Sequence, residues 1–136
     1  MRDAVVRHLL AVVFLGLSTI QSMALAGPDP RIAVLVEGDG ADDARRAVTD
    51  ALDALGQPVA DPRSVAAARV FHEGPLDDAR LAALRRELGV GTLLAVQIRR
   101  QRESSYLHVR LVSDGPVVRR YDSVPAGKAP AATGRI

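Results

Sequence analysis

From Ile32 to Val36 the chain runs apolar without alternation, the pattern of a strand covered on both faces. After the stretch EGDGADD, Ala44, Val48, Ala51 and Leu55 recur at helical spacing, which predicts one helix over about 41–55, stopped by Gly56. Gln57 to Ala60 has room for a short strand. Asp61-Pro62 then has the form of an N-cap followed by proline at the first helical position, so SVAAARVF is expected to make a two-turn helix. Leu76-Asp77-Asp78 is a second start signal: Asp77 caps, Leu76 staples onto Leu81, and Leu81, Leu84 and Leu88 form a stripe that ends at Gly89.

From Thr92 onward the period becomes two. Thr92 to Arg100, Tyr106 to Ser113 and Val117 to Ser123 read as strands, joined by a turn around Glu103-Ser104 and by Asp114-Gly115. With Arg102 facing Ser105, Ile98 opposes Val109 and Val96 opposes Leu111 on the core side, while Arg99 opposes His108 and Gln97 opposes Arg110 on the other. The order β-α-β-α-β-β-β, with right-handed crossovers between parallel strands, predicts an α/β fold: a three-layer α/β/α domain on a mixed five-stranded sheet of order 2-1-3-4-5. The domain is expected over 27–124. PAGKAPAATGRI, 125–136, has linker composition and is expected to be a flexible tail.

The first 26 residues do not belong to this pattern. Arg2 and Arg7 precede twelve uncharged residues, LLAVVFLGLSTI, and the segment closes on Ala24-Leu25-Ala26, so it reads as an export signal cleaved between Ala26 and Gly27. A membrane span needs about 20 apolar residues, and Arg7, His8 and Gln21 bound a shorter run. The expected location is therefore periplasmic or secreted, with no membrane span once the signal is removed. There is no cysteine, hence no thiol for lipid attachment, disulfides or thiolate metal chemistry. The formal charge of +2 hides an asymmetry: residues 27–96 carry 8 arginines against 12 acids, and residues 97–136 carry 8 basic residues against 3 acids.

The segment Arg86-Glu87-Leu88-Gly89-Val90, with LLAVQIRRQRESSYLHVRLVSDGPVVRRYDS after it, resembles the TolB amino-terminal-like domains of bacterial envelope proteins. The shared pattern is a helix ending in E-L-G-V, a strand ending in basic residues, a hairpin, and an L-V-D-x-x-x-G-x-V run into Tyr and an acid. Here that run is Leu111-Val112-Ser113-Asp114-Gly115-Pro116-Val117-Val118, then Tyr121-Asp122. The resemblance covers about residues 31–123, and Val36-Glu37 replaces the usual Pro-Phe after the first strand. It implies an anticodon-binding-like three-layer fold and a recruitment or assembly role without catalysis.

Candidate chemistry is sparse. EGDGADD follows a strand and opens a helix, but Asp43 stands where a phosphate loop needs its third glycine, and Glu37, Asp39, Asp42 and Asp43 would repel an anion. Helix capping and favourable charge at a helix N-terminus account for the loop. A receiver-like acidic pocket would need a lysine on a late strand, and Lys128 lies in the tail. His72 and His108 stand in no metal or nucleophile spacing. No catalytic residue, cofactor or metal is expected.

The remaining concentration is basic: Arg99, Arg100, Arg102, Arg110, Arg119 and Arg120. Only Tyr106 and Tyr121 accompany them, too few for a nucleic-acid stacking platform. The reading is an exported, non-enzymatic envelope module acting by protein–protein interaction or assembly through Arg99, His108, Arg110, Arg119 and Arg120. The alternative is binding of an anionic envelope polymer on the same basic face. Arg119 and Arg120 are also expected to guard the outer strand against edge pairing.

Overall fold

The computed structural model of the chain describes residues 5–11 and 30–125. The expected cleavage point at Ala26/Gly27 and the tail beyond Pro125 lie outside these residues. Strand β1 (Ile32–Gly38) leads into helix α1 (Ala41–Ala54), followed by α2 (Pro62–Phe71), α3 (Asp78–Leu88), β2 (Thr92–Gln101), β3 (Ser104–Val112) and β4 (Val118–Pro125). The sheet is mixed. β1 pairs parallel with β2, and β2, β3 and β4 form an antiparallel meander in the order β1-β2-β3-β4.

The helix ends form as their residues dictate. Asp61 accepts the Arg63 backbone N–H at 3.0 Å with Pro62 behind it, and Asp77 accepts that of Arg80 at 2.7 Å, so each carboxylate satisfies a backbone donor left unpaired at a helix start. Gly89 closes α3 at φ +69°, a left-handed cap. The buried row of α1 is Ala44, Val48 and Leu52, not the expected Ala44, Val48, Ala51 and Leu55. Steps of four lay one ridge along the sheet, whereas Leu55, just past the last turn, is 58% exposed.

The sheet has four strands, which corrects the expected five. The segment after α1 reaches the free edge of β1 at one bridge only, Val59 with Ile32, fixed by Ile32 N–H to Pro58 O at 3.0 Å and Ala60 N–H to Ile32 O at 2.9 Å. The ladder stops there because Pro58 has no N–H to give and Asp61-Pro62 already starts a helix. The bridge still lies beside β1, where the expected order put a strand.

Two apolar clusters flank the sheet. On the front face, Ile32, Val34, Val36, Leu94, Val96, Ile98, Leu107, Val109 and Leu111 pack under Ala44, Val48 and Leu52 of α1. On the back face, Ala33, Leu35, Leu93, Ala95 and Val112 pack under Val65 and Ala68 of α2 and Leu81 and Leu84 of α3. Residues 5–11, inside the expected leader, are helical on the front face: Leu9 is fully buried in that cluster, and His8 Nε2 lies 2.5 Å from Asp122 Oδ2. Among the described residues no helix is long and apolar enough to cross a membrane.

Candidate functional site

The β2–β3 hairpin turns on two residues, Arg102 and Glu103, with Gln101 opposite Ser104. The expected register, with Arg102 facing Ser105, is displaced by two. Ile98 faces Leu107, Val96 faces Val109, Arg99 faces Tyr106, Gln97 faces His108 and Ala95 faces Arg110. A slip of two leaves each side chain on its expected face but changes its neighbours and its depth under the helices.

Arg110 is most affected. Expected to stand exposed beside Arg99, it is only 4% exposed, with Nη2 at 2.9 Å from Gln97 Oε1 and Nη1 at 3.4 Å from Asp78 Oδ1. Asp78, in the first turn of α3, also takes a hydrogen bond from Arg119 across on β4. Partial burial pushes the Asp78 carboxyl up. Hydrogen bonds from Arg119 and Arg110, and their charges, outweigh that and hold it below the usual carboxylate value. Arg120 opposes Val109 and so lies on the front face, whereas Arg119 opposes Arg110 on the back. The five expected site residues therefore do not form one basic patch. Arg110 and Arg119 are structural partners of Asp78, Arg120 points the other way, and Arg99 and His108 remain near one another.

What the back face offers beyond the helices is a mixed surface. Glu37, Gln97, Arg99, Gln101, Tyr106, His108 and Tyr121 line an open depression of about 610 Å³. Tyr106 and Tyr121 are 46% and 66% exposed. The His108 ring stacks on Tyr121 with centroids 4.1 Å apart and planes 15° from parallel. Burial first, then the charges of Arg110 and Arg119, depress the His108 pKa, so the ring is neutral at neutral pH. Its Nε2 is buried without a hydrogen-bond partner among the described residues.

One wall of the depression is rigid. Glu37 takes two hydrogen bonds from Arg69, Nε at 2.6 Å and Nη2 at 3.3 Å, and Arg69 also bonds the carbonyl oxygens of His72 and Gly74. That guanidinium ties the end of α2 to the end of β1. At Gly38, φ is +107° and an added Cβ would sit 1.9 Å from Ile98 O, so only glycine lets β1 leave the sheet there. Asp39 then accepts the Arg100 backbone N–H at 2.7 Å. Its acidic neighbours Asp42 and Asp43 fall in the first turn of α1, whose N-cap is Gly40 with no side-chain cap bond. The acidic loop thus closes the sheet and charges a helix start. Among the described residues no group of three metal-ligating side chains converges.

The two tyrosines were the missed signal. Both fall on the back-face parity of their strands, Tyr106 opposite Arg99 and Tyr121 opposite His108, so the alternation that singled out the arginines also placed the aromatics.

No protein-family model and no curated protein matches the chain. Solved structures do. The LpoB C-terminal domain from Salmonella enterica superposes with a TM-score of 0.52 at 13% identity, covering 78% of this chain and 92% of that one. Lipoprotein GNA1162 from Neisseria meningitidis gives 0.52 at 14% identity, over 78% and 95%. The solution structure of Escherichia coli LpoB gives 0.53 at 15% identity, over 79% of this chain and 64% of that one. At these identities the likeness is one of fold.

Proposed function

We propose that the chain is an exported, non-enzymatic envelope module of the TolB amino-terminal-like kind, which docks another envelope protein on the uncovered back face around Arg99, Tyr106, His108 and Tyr121. The observation that carries this reading is the composition of that surface: exposed tyrosines and an arginine around a rigid, partly apolar floor, the residue types that anchor protein interfaces. The leader-like first 26 residues support export, and the lipoprotein name of one structural neighbour fits an envelope setting. An anionic polymer is the less favoured ligand, because Arg110 and Arg119 are engaged by Asp78 and Glu37 shares the depression.

The test is partner capture by crosslinking in the native envelope, with the parent and with the double variant Arg99→Glu, Tyr106→Ser. The parent should retain one protein partner, saturably, at both low and high salt. The variant should lose it while unfolding at a similar denaturant concentration. Equal capture by the variant, or ligand binding that vanishes with salt regardless of ligand identity, contradicts the reading.

A further inference from the structure

β4 is the outer strand. It pairs with β3 on one side and with no described strand on the other, so one side of Val118–Pro125 offers its backbone N–H and C=O groups to no described strand, and the Ser123 N–H turns to its neighbour Asp122 Oδ1 at 2.9 Å. Such an edge is a template for another strand unless it is blunted. Arg119 and Arg120 were expected to blunt it, but Arg119 is turned to Asp78 on the back face, and Arg120 shares the front face with Asp122, two residues away and of opposite charge.

We propose that two copies of the chain pair antiparallel through β4 about a two-fold axis at Tyr121, making one continuous eight-stranded sheet. Continuity requires the front face of one copy to run on into the front face of the other. The axis must then pass through a residue position, not between two. Pro125 has no N–H to give a ladder, and over residues 118–124 three positions keep at least five residues of each strand paired. An axis at Arg120 sets Arg120 against Arg120. An axis at Asp122 sets Asp122 against Asp122. An axis at Tyr121 sets Arg120 against Asp122 twice and Val118 against Val124 twice on the front face, with Tyr121 against Tyr121 and Arg119 against Ser123 on the back. Only this register places no like charges directly opposite, and cross-strand pairs of this kind are what fix a sheet register. His8 and the Ser123 N–H occupy Asp122 on different oxygens, a carboxylate oxygen accepts more than one bond, and pairing lets the single Ser123 N–H exchange Asp122 Oδ1 for a backbone carbonyl of the second copy.

The absence of cysteine makes the register directly measurable, since one introduced thiol per chain can bond only to its counterpart. With the axis at Tyr121, Tyr121→Cys places two Cα atoms about 4.5–5.5 Å apart, within disulfide reach. Arg119→Cys and Ser123→Cys each put their two thiols about 13 Å out of register. Mild oxidation of the full chain, purified as the cell leaves it, should crosslink the Tyr121→Cys form and not the other two. Sedimentation of cysteine-free variants supplies the second arm. Arg120→Asp alone and Asp122→Arg alone should each weaken association at least about tenfold, and the two together should restore it to within about threefold of the parent. A parent that stays monomeric at millimolar concentration, equal crosslinking at all three positions, or a double reversal as weak as the single ones overturns the proposal. Arg99 and Tyr106 sit on the inner strands β2 and β3, whereas the association variants Arg120→Asp and Asp122→Arg are on β4 and face the front, so loss of partner capture and loss of self-association are separable.

Discussion

The base and the tip of the β2–β3 hairpin are built from the same alternation and meet opposite fates. At the base, Leu94, Val96, Val109 and Leu111 are buried on the front face and Leu93, Ala95, Arg110 and Val112 on the back. At the tip the front face is still core, with Ile98 and Leu107 beside Leu9, while the back face carries Arg99, Gln101 and Tyr106 into solvent. The difference lies in the cover: α2 and α3 lie over the base and stop short of the tip. A period of two says which side a residue faces, and only the helices say whether that side is wet.

Charge reversal should separate the two ends most sharply. Arg110→Glu removes both buried bonds and sets an acid beside Asp78, so it should cost about 3 kcal/mol or more of unfolding free energy. Arg99→Glu, at the tip, should stay within about 0.5 kcal/mol. Urea titration of the two variants side by side checks the contrast, and similar midpoints would mean that Arg110 is not buried as described.

The front-face cover of the tip comes next. In chains that retain residues 5–11, Leu9→Ala should cost about 2 kcal/mol, because Leu9 is fully buried there. A chain shortened to begin at Gly27 lacks these contacts and should unfold at lower denaturant than the chain that retains residues 5–11. Equal midpoints would show that these residues add nothing to the folded domain.

The turn at the tip should yield a smaller gain. Arg102 has φ +53°, a left-handed conformation that costs a side-chain-bearing residue energy. Arg102→Gly should raise stability by about 1 kcal/mol if the two-residue turn forms as described. A loss of stability would point to a different turn.

The smallest effect is on pH. The folded-state pKa of His108 lies below its ordinary value of 6.5, so the unfolded chain takes up that proton first as pH falls. The contribution of His108 is complete above about pH 6.5 and disappears as pH drops through the folded value. Asp78 and Asp122, also depressed, lose theirs only at lower pH, below the ordinary carboxylate value of 3.8. His108→Gln should flatten the fall in urea midpoint between about pH 7.5 and pH 5. An unchanged slope would show that the imidazole is as easily protonated folded as unfolded.

These contrasts also mark what the sequence could convey. The helix starts at Asp61-Pro62 and Asp77 were legible because a cap is a local event, settled by a carboxylate and the next few N–H groups. The meander was legible as alternation, and the side of every strand residue followed. The register was not, because Ile98 packs as well against Val109 as against Leu107 in pattern alone, and the choice fell to a two-residue turn with an arginine in a glycine-like conformation. The expected basic patch failed on that slip: two residues carried Arg110 from the tip to beneath α3. The short strand at Gln57 to Ala60 failed for a nearer reason, the missing N–H of Pro58. The tyrosines were visible throughout, but their exposure depended on where the helices stop.

The central claim is that the uncovered tip of the back face, and not the solvent side of α1, is where a partner docks. A photo-crosslinking residue placed at Tyr106 in one chain and at Asp50 in another, both expressed in the native cell and irradiated, tests it directly, since both positions are exposed and lie on opposite sides of the sheet. The account predicts one discrete protein adduct from position 106, lost when Arg99→Glu is added, and none from position 50. An adduct from position 50 alone, or the same adducts from both, would contradict it.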